Sequence, residues 1–259
     1  MNRTIVEVRG IRIGEGRPKI CVPLTGENEA ALLEEIAAVD RSCTDLLEWR
    51  ADCFGGYQDS TAVLAVLKKL REAAGSMPLI FTFRSREEGG SAELSMAGYM
   101  NLYKEIIPSE LADIVDIEYS LGDEYASELL WLARRHNVVT ILSSHNFEQT
   151  GKRILLMERL HEMQILGGDI LKLAVMPKEA GDVLTLMRVT FEMSEYYARG
   201  PIVTMSMSQV GTVSRLCGEV FGSAITFASG VRASAPGQIP ADKLKVCLDV
   251  LHMDGGRND

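Results

Sequence analysis

The sequence predicts a (β/α)₈ barrel preceded by a short β-hairpin. Eight short runs rich in β-branched apolar residues alternate with eight helical patterns along the 259 residues. The runs are almost continuously hydrophobic, as the strands of a parallel sheet are when helices cover it. Beyond residue 18 the chain supplies about 30 residues for each strand and helix, which is the size of a βα unit. An open, doubly wound sheet is the alternative architecture.

The predicted strands share an apolar centre and a polar residue near one end. They are residues 19–24, 44–50, 78–84, 113–119, 138–144, 169–175, 201–206 and 223–227. The predicted helices share the 3.6-residue period, as Leu32, Ile36 and Val39 show in the first of them. These helices are residues 28–41, 61–74, 92–107, 124–136, 152–166, 180–198, 209–219 and 241–252.

Residues 4–13 alternate apolar and polar side chains around Gly10, which predicts a β-hairpin. We expect this hairpin, within residues 1–18, to close the amino-terminal end of a barrel formed by residues 19–253. No linker, low-complexity tract or internal repeat divides the sequence, so residues 1–259 are predicted to form a single domain.

Composition excludes several classes of function. Thirty-six acidic residues outnumber 27 basic ones, and the resulting net charge of −9 disfavours nucleic acid and anionic membranes as partners. No apolar run approaches the roughly 18 residues of a membrane span, and charges interrupt residues 1–7 where a secretory signal would be apolar. The five cysteines form no CxxC pair and no His lies at zinc-finger spacing. We therefore expect reduced thiols, no metal and a cytoplasmic location.

Charged and polar side chains recur near the carboxyl ends of the predicted strands. In a barrel these ends ring the active site, so the side chains are predicted to converge on one pocket. The set is Glu48, Arg50, Arg84, Asp116, Glu118, His145 and Lys172, with Met205 and Met207 on one face of the seventh strand. Each also has a structural interpretation. The first two could form an ion pair, the two acids of strand four could satisfy backbone groups or a neighbouring cation, and the methionines could simply line the pocket.

Lys172 is the most informative of these residues. Its neighbours in the run ILKLAV are apolar, and Ile170 and Ala174 share its face of the strand. A buried ammonium is costly, so this side chain either pairs with a carboxylate or loses its proton. A free amine attacks carbonyl groups to form a Schiff base. The residues alone leave both possibilities open, a buried ion pair and a Schiff-base enzyme.

Two loop features complete the candidate site. Glycine pairs occur at several places, but none forms a Walker A motif or a GxGxxG after a strand, so a phosphate site is only weakly indicated. Ser234 and Gln238 lie in the turn-prone segment SAPGQ after the eighth strand. Loops at this end of a barrel commonly carry function, so the segment is either a lid over the pocket or a plain connection.

Six motifs, in order, resemble one known family. They are EWR at 48–50, FTFRSREEGG at 81–90, SSHNF at 143–147, DILKLAVMP at 169–177, MSMSQVGTVSRLCGEVFGSAITF at 205–227 and ASAPGQI at 233–239. Together they are similar to the type I 3-dehydroquinate dehydratases, hydro-lyases of the shikimate pathway. The likeness runs from about residue 18 to 253. It implies a (β/α)₈ barrel, a homodimer, and an enzyme that needs no metal or cofactor.

The resemblance also implies roles for individual residues. Lys172 would form a Schiff base with the ketone of 3-dehydroquinate, and His145 would be the general acid and base of a syn elimination. Glu88 would hold the histidine, and Arg215 would bind the substrate carboxylate. The remaining positions implied to contact substrate are Glu48, Arg50, Arg84, Ser234, Gln238, Met205 and Met207. Some members carry a lysine just before the last motif, where this chain has Gly230, Val231 and Arg232. The role of Arg232 is therefore open.

Two other functions compete with this interpretation. A class I aldolase or transaldolase-like barrel would also place a lysine on a strand, but it usually carries a phosphate-binding loop as well. A barrel without catalysis, serving as a binding partner, would have no reason to keep a lysine in the run ILKLAV.

Overall fold

The computed structural model describes residues 4–231 and 234–252. Eight parallel strands follow one another around a barrel, and helices alternate with them on the outside. The strands are β3 (Lys19–Leu24), β4 (Leu46–Arg50), β5 (Leu79–Thr82), β6 (Ile114–Glu118), β7 (Val139–Asn146), β8 (Ile170–Val175), β9 (Ile202–Ser206) and β10 (Ile225–Phe227). A single bridge between Ile202 and Ser223 joins the last two strands, so the barrel is nearly closed. The predicted (β/α)₈ fold is confirmed.

Nine α-helices lie within the described ranges, and several begin at a side-chain cap. Asn28 accepts the amide of Ala31, and Ser95 accepts that of Gly98, which satisfies donors that a helix leaves free at its start. The helices are α1 (Glu29–Ala37), α2 (Ser60–Ala74), α3 (Met96–Ser109), α4 (Asp123–Arg135), α5 (Arg153–Leu166), α6 (Ala180–Glu192), α7 (Val213–Leu216), α8 (Gly218–Phe221) and α9 (Ala241–Leu251). None of these described helices has both the length and the apolar character needed to cross a membrane.

The inside of the barrel is built in layers, because alternate residues of each strand point inward. The lowest layer is apolar and belongs to one buried cluster that includes Leu46, Ile80, Ile114, Ile141, Ile170 and Val203. Two residues further along the same strands, the inward positions are Glu48, Thr82, Asp116, Ser143, Lys172 and Met205. Leucines and valines between them pack outward against the helices in a second, larger cluster. The polar layer therefore rests on an apolar floor.

The predicted amino-terminal hairpin is present. Strands β1 (Val6–Val8) and β2 (Ile11–Ile13) pair antiparallel, and Arg9 and Gly10 make the turn with positive φ. Val8 and Ile13 are buried in the same cluster as the apolar floor of the barrel. The hairpin therefore closes the amino-terminal end of the barrel.

The structure differs from the predicted elements in three places. The segment predicted as one helix, 209–219, is a 3₁₀ turn followed by the two short helices α7 and α8. The chain breaks at Cys217, and Gly218 packs so closely on Pro18 that a Cβ would lie 2.9 Å from its ring. The first helix ends at Ala37, because Asp40 turns the chain by accepting the amide of Ser42. His145 lies inside β7, which extends to Asn146, and not after it.

Candidate active site

One cavity opens at the carboxyl ends of the strands, the end at which the active sites of barrel enzymes lie. All eleven candidate residues line it. They are Glu48, Arg50, Arg84, Glu88, His145, Lys172, Met205, Met207, Arg215, Ser234 and Gln238. They come from four strands, from helix α7 and from the segments that follow β5, β9 and β10, so the fold brings together residues that lie as far apart in sequence as Glu48 and Gln238. Phe147 and Phe227 add aromatic surface that sequence reasoning missed.

Lys172 lies at the bottom of this cavity, with 4% of its surface exposed. Its Nζ donates to Asp116 Oδ2 at 2.9 Å and lies 3.7 Å from Glu48 Oε1. The same nitrogen lies 4.4 Å from the centre of the Phe227 ring, within the range of a cation–π contact. Thr82 donates to Glu48 and fixes that carboxylate at 2.9 Å. The lysine is therefore both paired and held at a defined position.

His145 lies one layer above and contacts Glu88, whose Oε2 is 2.8 Å from the ring Nδ1. Burial lowers the pKa of His145 well below its ordinary value, and the nearby charges of Arg84 and Lys172 lower it further. Burial raises the pKa of Glu88 to about 7, against the opposing charge of Arg84. His145 is therefore neutral at pH 7, so one of its ring nitrogens has a free lone pair and can act as a base. The carboxyl group of Glu88 holds the orientation of the ring.

Arg84 joins the carboxylates of this site. Its Nη1 donates to Glu118 at 3.0 Å and to Ser143 at 2.9 Å, and it lies 3.4 Å from Glu88. Its Nη2 lies 2.8 Å from Asp116. All three hydrogen bonds leave from Nη1, while Nη2 makes a charge contact with Asp116 and has no hydrogen-bond partner among the described residues. Arg84 thereby supports both the carboxylate beside the histidine and the one beside the lysine.

The two acids of strand β6 have the structural role that the sequence allowed. Burial alone would raise the pKa of Asp116, but the charges of Arg84 and Lys172 outweigh it and lower the pKa below its ordinary value. Glu118 accepts from Arg84 and from the backbone amide of Ser85. The neighbouring cation of Asp116 is thus Lys172 itself, which makes this acid part of the candidate site. The sequence indicated Asp116 by its spacing of two residues from Glu118, which places both acids on the same face of the strand.

The ion pair between Glu48 and Arg50, which the sequence left open as a structural alternative, does not form. Arg50 instead makes two hydrogen bonds to Asp52, from Nε at 2.7 Å and from Nη2 at 2.8 Å. Asp52 follows the strand directly in a 3₁₀ turn, Ala51–Cys53. Asp52 was not among the predicted site residues, because only residues on the strand were considered and Asp52 lies two positions beyond Arg50.

Arg215 is a buried guanidinium that has no carboxylate partner in the described part of the chain. Its side chain donates to the carbonyl oxygens of Phe227 at 3.3 Å and Pro236 at 3.1 Å. Among residues 4–231 and 234–252, no hydrogen-bond partner reaches its Nε. Burial lowers its pKa to about 10, which still leaves the group charged at pH 7. A buried cation that lines a cavity is suited to binding an anion there.

The loop between β10 and α9 covers one side of the cavity. A hydrogen bond from the amide of Ser229 to the carbonyl of Ile239, at 2.8 Å, draws its two ends together. Within it, Gln238 donates to the hydroxyl of Ser234 at 3.0 Å and accepts from the amide of Ser234 at 2.7 Å. The two predicted polar residues are thus hydrogen-bonded to each other. Arg232, whose role the sequence leaves open, lies outside the described residues.

Comparison with known proteins agrees with this geometry. Residues 20–255 match the family model of type I 3-dehydroquinase. The chain belongs to the type I 3-dehydroquinase family. It is 48% identical over 250 residues to a 3-dehydroquinate dehydratase of Bacillus licheniformis, covering 96% of this chain and 98% of the relative. It is 44% identical over 248 residues to that of Bacillus subtilis, covering 96% and 97%.

Solved structures give the same result. A type I 3-dehydroquinate dehydratase of Clostridium difficile, crystallised with covalently modified comenic acid, superimposes with a TM-score of 0.94 at 45% identity. The match covers 97% of this chain and 99% of that one. The enzyme of Geobacillus kaustophilus superimposes with a TM-score of 0.92 at 39% identity, covering 96% of each chain. As a type I 3-dehydroquinase, the protein is a hydro-lyase of the shikimate pathway.

Proposed function

We propose that the protein dehydrates 3-dehydroquinate to 3-dehydroshikimate through a Schiff base on Lys172. The observation that carries the proposal is a single cavity that holds an amine, a histidine–carboxyl pair and a buried cation with a free donor. These are the groups that an elimination next to a ketone on an anionic ring requires. The named activity of the relatives at 44–48% identity supports the same reaction.

In the first step Lys172 gives up a proton and its amine attacks the ketone carbon, and loss of water gives an imine. Burial and the pair with Asp116 hold the nitrogen in place, and the proton that it gives up needs an acceptor. His145, neutral because its pKa is lowered, is a candidate base on the neighbouring strand, where its backbone pairs with that of Ala174. The covalently modified ligand in the C. difficile relative supports covalent chemistry in the family.

In the second step His145 removes a proton from the carbon beside the imine. The electron pair moves into an enamine, and the hydroxyl on the next carbon leaves as water with a proton returned from the histidine. Hydrolysis of the product imine then frees Lys172. One histidine serves both transfers if the proton and hydroxyl leave from the same face, the syn course that the family resemblance implies. Glu88 keeps the ring in one orientation throughout.

Arg215 binds the substrate carboxylate in this proposal. Its planar guanidinium can offer two parallel donors to a carboxylate, and its Nε is free to do so. Glu48, Arg50 and Arg84 position the ring by its hydroxyl groups, while Met205 and Met207 pack against it. Ser234 and Gln238 contact the ligand from the covering loop once their mutual hydrogen bonds exchange for bonds to substrate.

The test is to mix the protein with 3-dehydroquinate, add borohydride and locate the reduced adduct by peptide mass spectrometry. We expect a single ligand-sized adduct on Lys172, and none in Lys172→Ala. Lys178→Ala is the matched control, because Lys178 is exposed just beyond the same strand and its loss should leave the adduct intact. Product formation without an adduct would contradict the imine. Neither product nor adduct would contradict the proposed reaction.

We further propose that the protein is a cytoplasmic homodimer, as the family resemblance implies. Five free cysteines suit a reducing compartment. Exposed apolar side chains cluster on α5, α6 and the π-helical segment after α6, a face suited to contact with a second copy. They are Ile154, Leu155, Ile165, Leu184, Phe191, Tyr196 and Tyr197. Light scattering after size-exclusion chromatography tests this, and a mass of one chain would contradict it.

A further inference from the structure

Asp52 is the most heavily hydrogen-bonded carboxylate near the cavity that the proposed chemistry does not use. Its side chain is fully buried. Oδ1 accepts from Arg50 Nε at 2.7 Å and from the backbone amide of Arg84 at 3.2 Å. Oδ2 accepts from Arg50 Nη2 at 2.8 Å and from the backbone amide of Ser91 at 2.9 Å. One carboxylate therefore holds a side chain of the cavity and two separate points of the backbone.

The two backbone points are the ends of one loop. Residues 84–91 leave β5, make the 3₁₀ turn Arg86–Glu88 and return, so that Ser85 and Ala92 form a parallel bridge. The turn is tight, since the amide of Gly90 donates to the carbonyl of Ser85 at 2.8 Å. This loop carries Glu88. Asp52 thus closes the loop whose middle presents Glu88 to His145.

The charge of Asp52 is compensated locally. Burial would raise its pKa, but the hydrogen bonds and charge of Arg50 outweigh that effect, and the pKa of Asp52 lies below its ordinary value. The aspartate is therefore ionised at pH 7 and accepts all four hydrogen bonds. An asparagine in its place would keep the size but would turn one oxygen into a donor that faces other donors.

We propose that Asp52 is a positioning residue that orients Arg50 toward the substrate and fixes the loop that carries Glu88. The inference rests on the proposed function, because Arg50 and Glu88 take their roles from it. Asp52 is not among the residues that line the cavity. It couples two elements of the site, substrate positioning and the orientation of His145, through one buried group.

The test compares kcat and KM of Asp52→Asn with those of the natural protein, using the enone absorbance of the product. A buried charged partner removed in this way costs roughly two orders of magnitude in kcat/KM. We expect two separate effects. KM should be about tenfold higher because Arg50 is no longer oriented toward the substrate, and kcat should be about tenfold lower because the loop of Glu88 is no longer fixed. Asp45→Asn is the matched control. Asp45 accepts a backbone amide, that of Ile20 at 2.8 Å, near the opposite end of the same strand.

A double variant separates the two effects. In an Arg50→Ala background, Asp52→Asn should no longer raise KM but should still lower kcat, because the loop effect does not pass through Arg50. Loss of the kcat effect in that background would overturn the proposal. A decrease in kcat/KM in Asp52→Asn no larger than the decrease in Asp45→Asn would also overturn the proposal. The two variants are compared at equal thermal stability.

Hydrogen exchange on the natural protein provides a second test if Asp52→Asn fails to fold. The amides of Arg84 and Ser91 should exchange slowly, although Ser91 is an exposed residue. Exchange of Ser91 at the rate of an open loop would overturn the proposal. Borohydride trapping on the natural protein reports separately on the proposed function, since Asp52 does not contact Lys172.

Discussion

His145 and Glu88 meet across 57 residues of sequence, with the ring Nδ1 2.8 Å from the carboxylate Oε2. Burial acts on the two groups in opposite directions, because it disfavours the charged form of each. It lowers the pKa of the histidine and raises that of the glutamate. The pair therefore enters the reaction with a neutral base and with a carboxyl group close to its own titration point.

The first prediction concerns the histidine. His145→Ala should lower kcat by about 10²–10⁴-fold, the usual contribution of general acid–base catalysis. The amine of Lys172 remains in place, so some imine should accumulate. Borohydride trapping during slow turnover measures it. His161→Ala, on the exposed side of α5, is the control, and an unchanged kcat in His145→Ala would remove the residue from its proposed role.

The second prediction concerns stability and pH. Because the pKa of Glu88 is raised from 4.5 to about 7 by folding, the folded protein holds this proton over a range where the unfolded chain releases it. That stabilisation is present below pH 4.5 and is lost as the pH rises through about 7.

Glu88→Gln removes this dependence, since an amide does not titrate. The free energy of unfolding of the variant, relative to the natural protein, should therefore rise between about pH 5 and pH 8 by on the order of 3 kcal/mol. Urea denaturation at the two pH values measures it. A difference that stays constant, or falls, would contradict the pKa direction.

The third prediction concerns Arg215. Arg215→Lys keeps the charge but loses the planar pair of donors, so KM should rise by roughly one to two orders of magnitude with a smaller change in kcat. Arg199→Lys provides an exposed control. Equal affinity in Arg215→Lys would mean that the substrate carboxylate binds elsewhere.

The fourth prediction concerns Gly90 in the loop of Glu88. A Cβ at this position would lie 1.9 Å from the carbonyl oxygen of Arg84, so Gly90→Ala must displace the loop. We expect lower kcat and a lower Tm. Gly181→Ala is matched in chemistry but lies in helix α6, where the nearest atom to the new Cβ is the flexible end of Glu179 at 3.3 Å. Its stability should stay equal or rise slightly. Full activity in Gly90→Ala would contradict the need for this loop geometry.

The sequence predicted the barrel well, because the alternation of inward and outward residues is a local property. Lys172 shows this. Leu171 and Leu173 belong to the outer cluster and Ile170 and Ala174 to the inner one, so its inward direction follows from spacing alone. The element ends were less predictable. The predicted helix 209–219 breaks at Cys217, beside the close packing of Gly218 on Pro18, which lies 200 residues earlier and which no local sequence pattern indicates.

The candidate site shows the same division. Residues on strands, such as Glu48 and His145, were predictable, because strand ends in a barrel converge. Pairings were not. Nothing near Arg50 in the sequence distinguishes Asp52 from Glu48 as its partner, and the choice depends on backbone amides supplied by Arg84 and Ser91. The contact between Lys172 and the ring of Phe227 likewise requires the barrel to close.

The amino-terminal hairpin determines the end of the barrel at which small molecules enter and leave. Val8 and Ile13 close the floor below the polar layer, so the interior of the barrel is open at its carboxyl end and closed at its amino-terminal end. Substrate, product and the expelled water then exchange through the end that the loop of Ser234 and Gln238 covers. In the proposed reaction, imine formation and elimination each release one water, and hydrolysis of the product imine consumes one. A water released by the elimination can therefore be the one that frees Lys172. Isotopic oxygen from the departing hydroxyl would then appear in the ketone of the product.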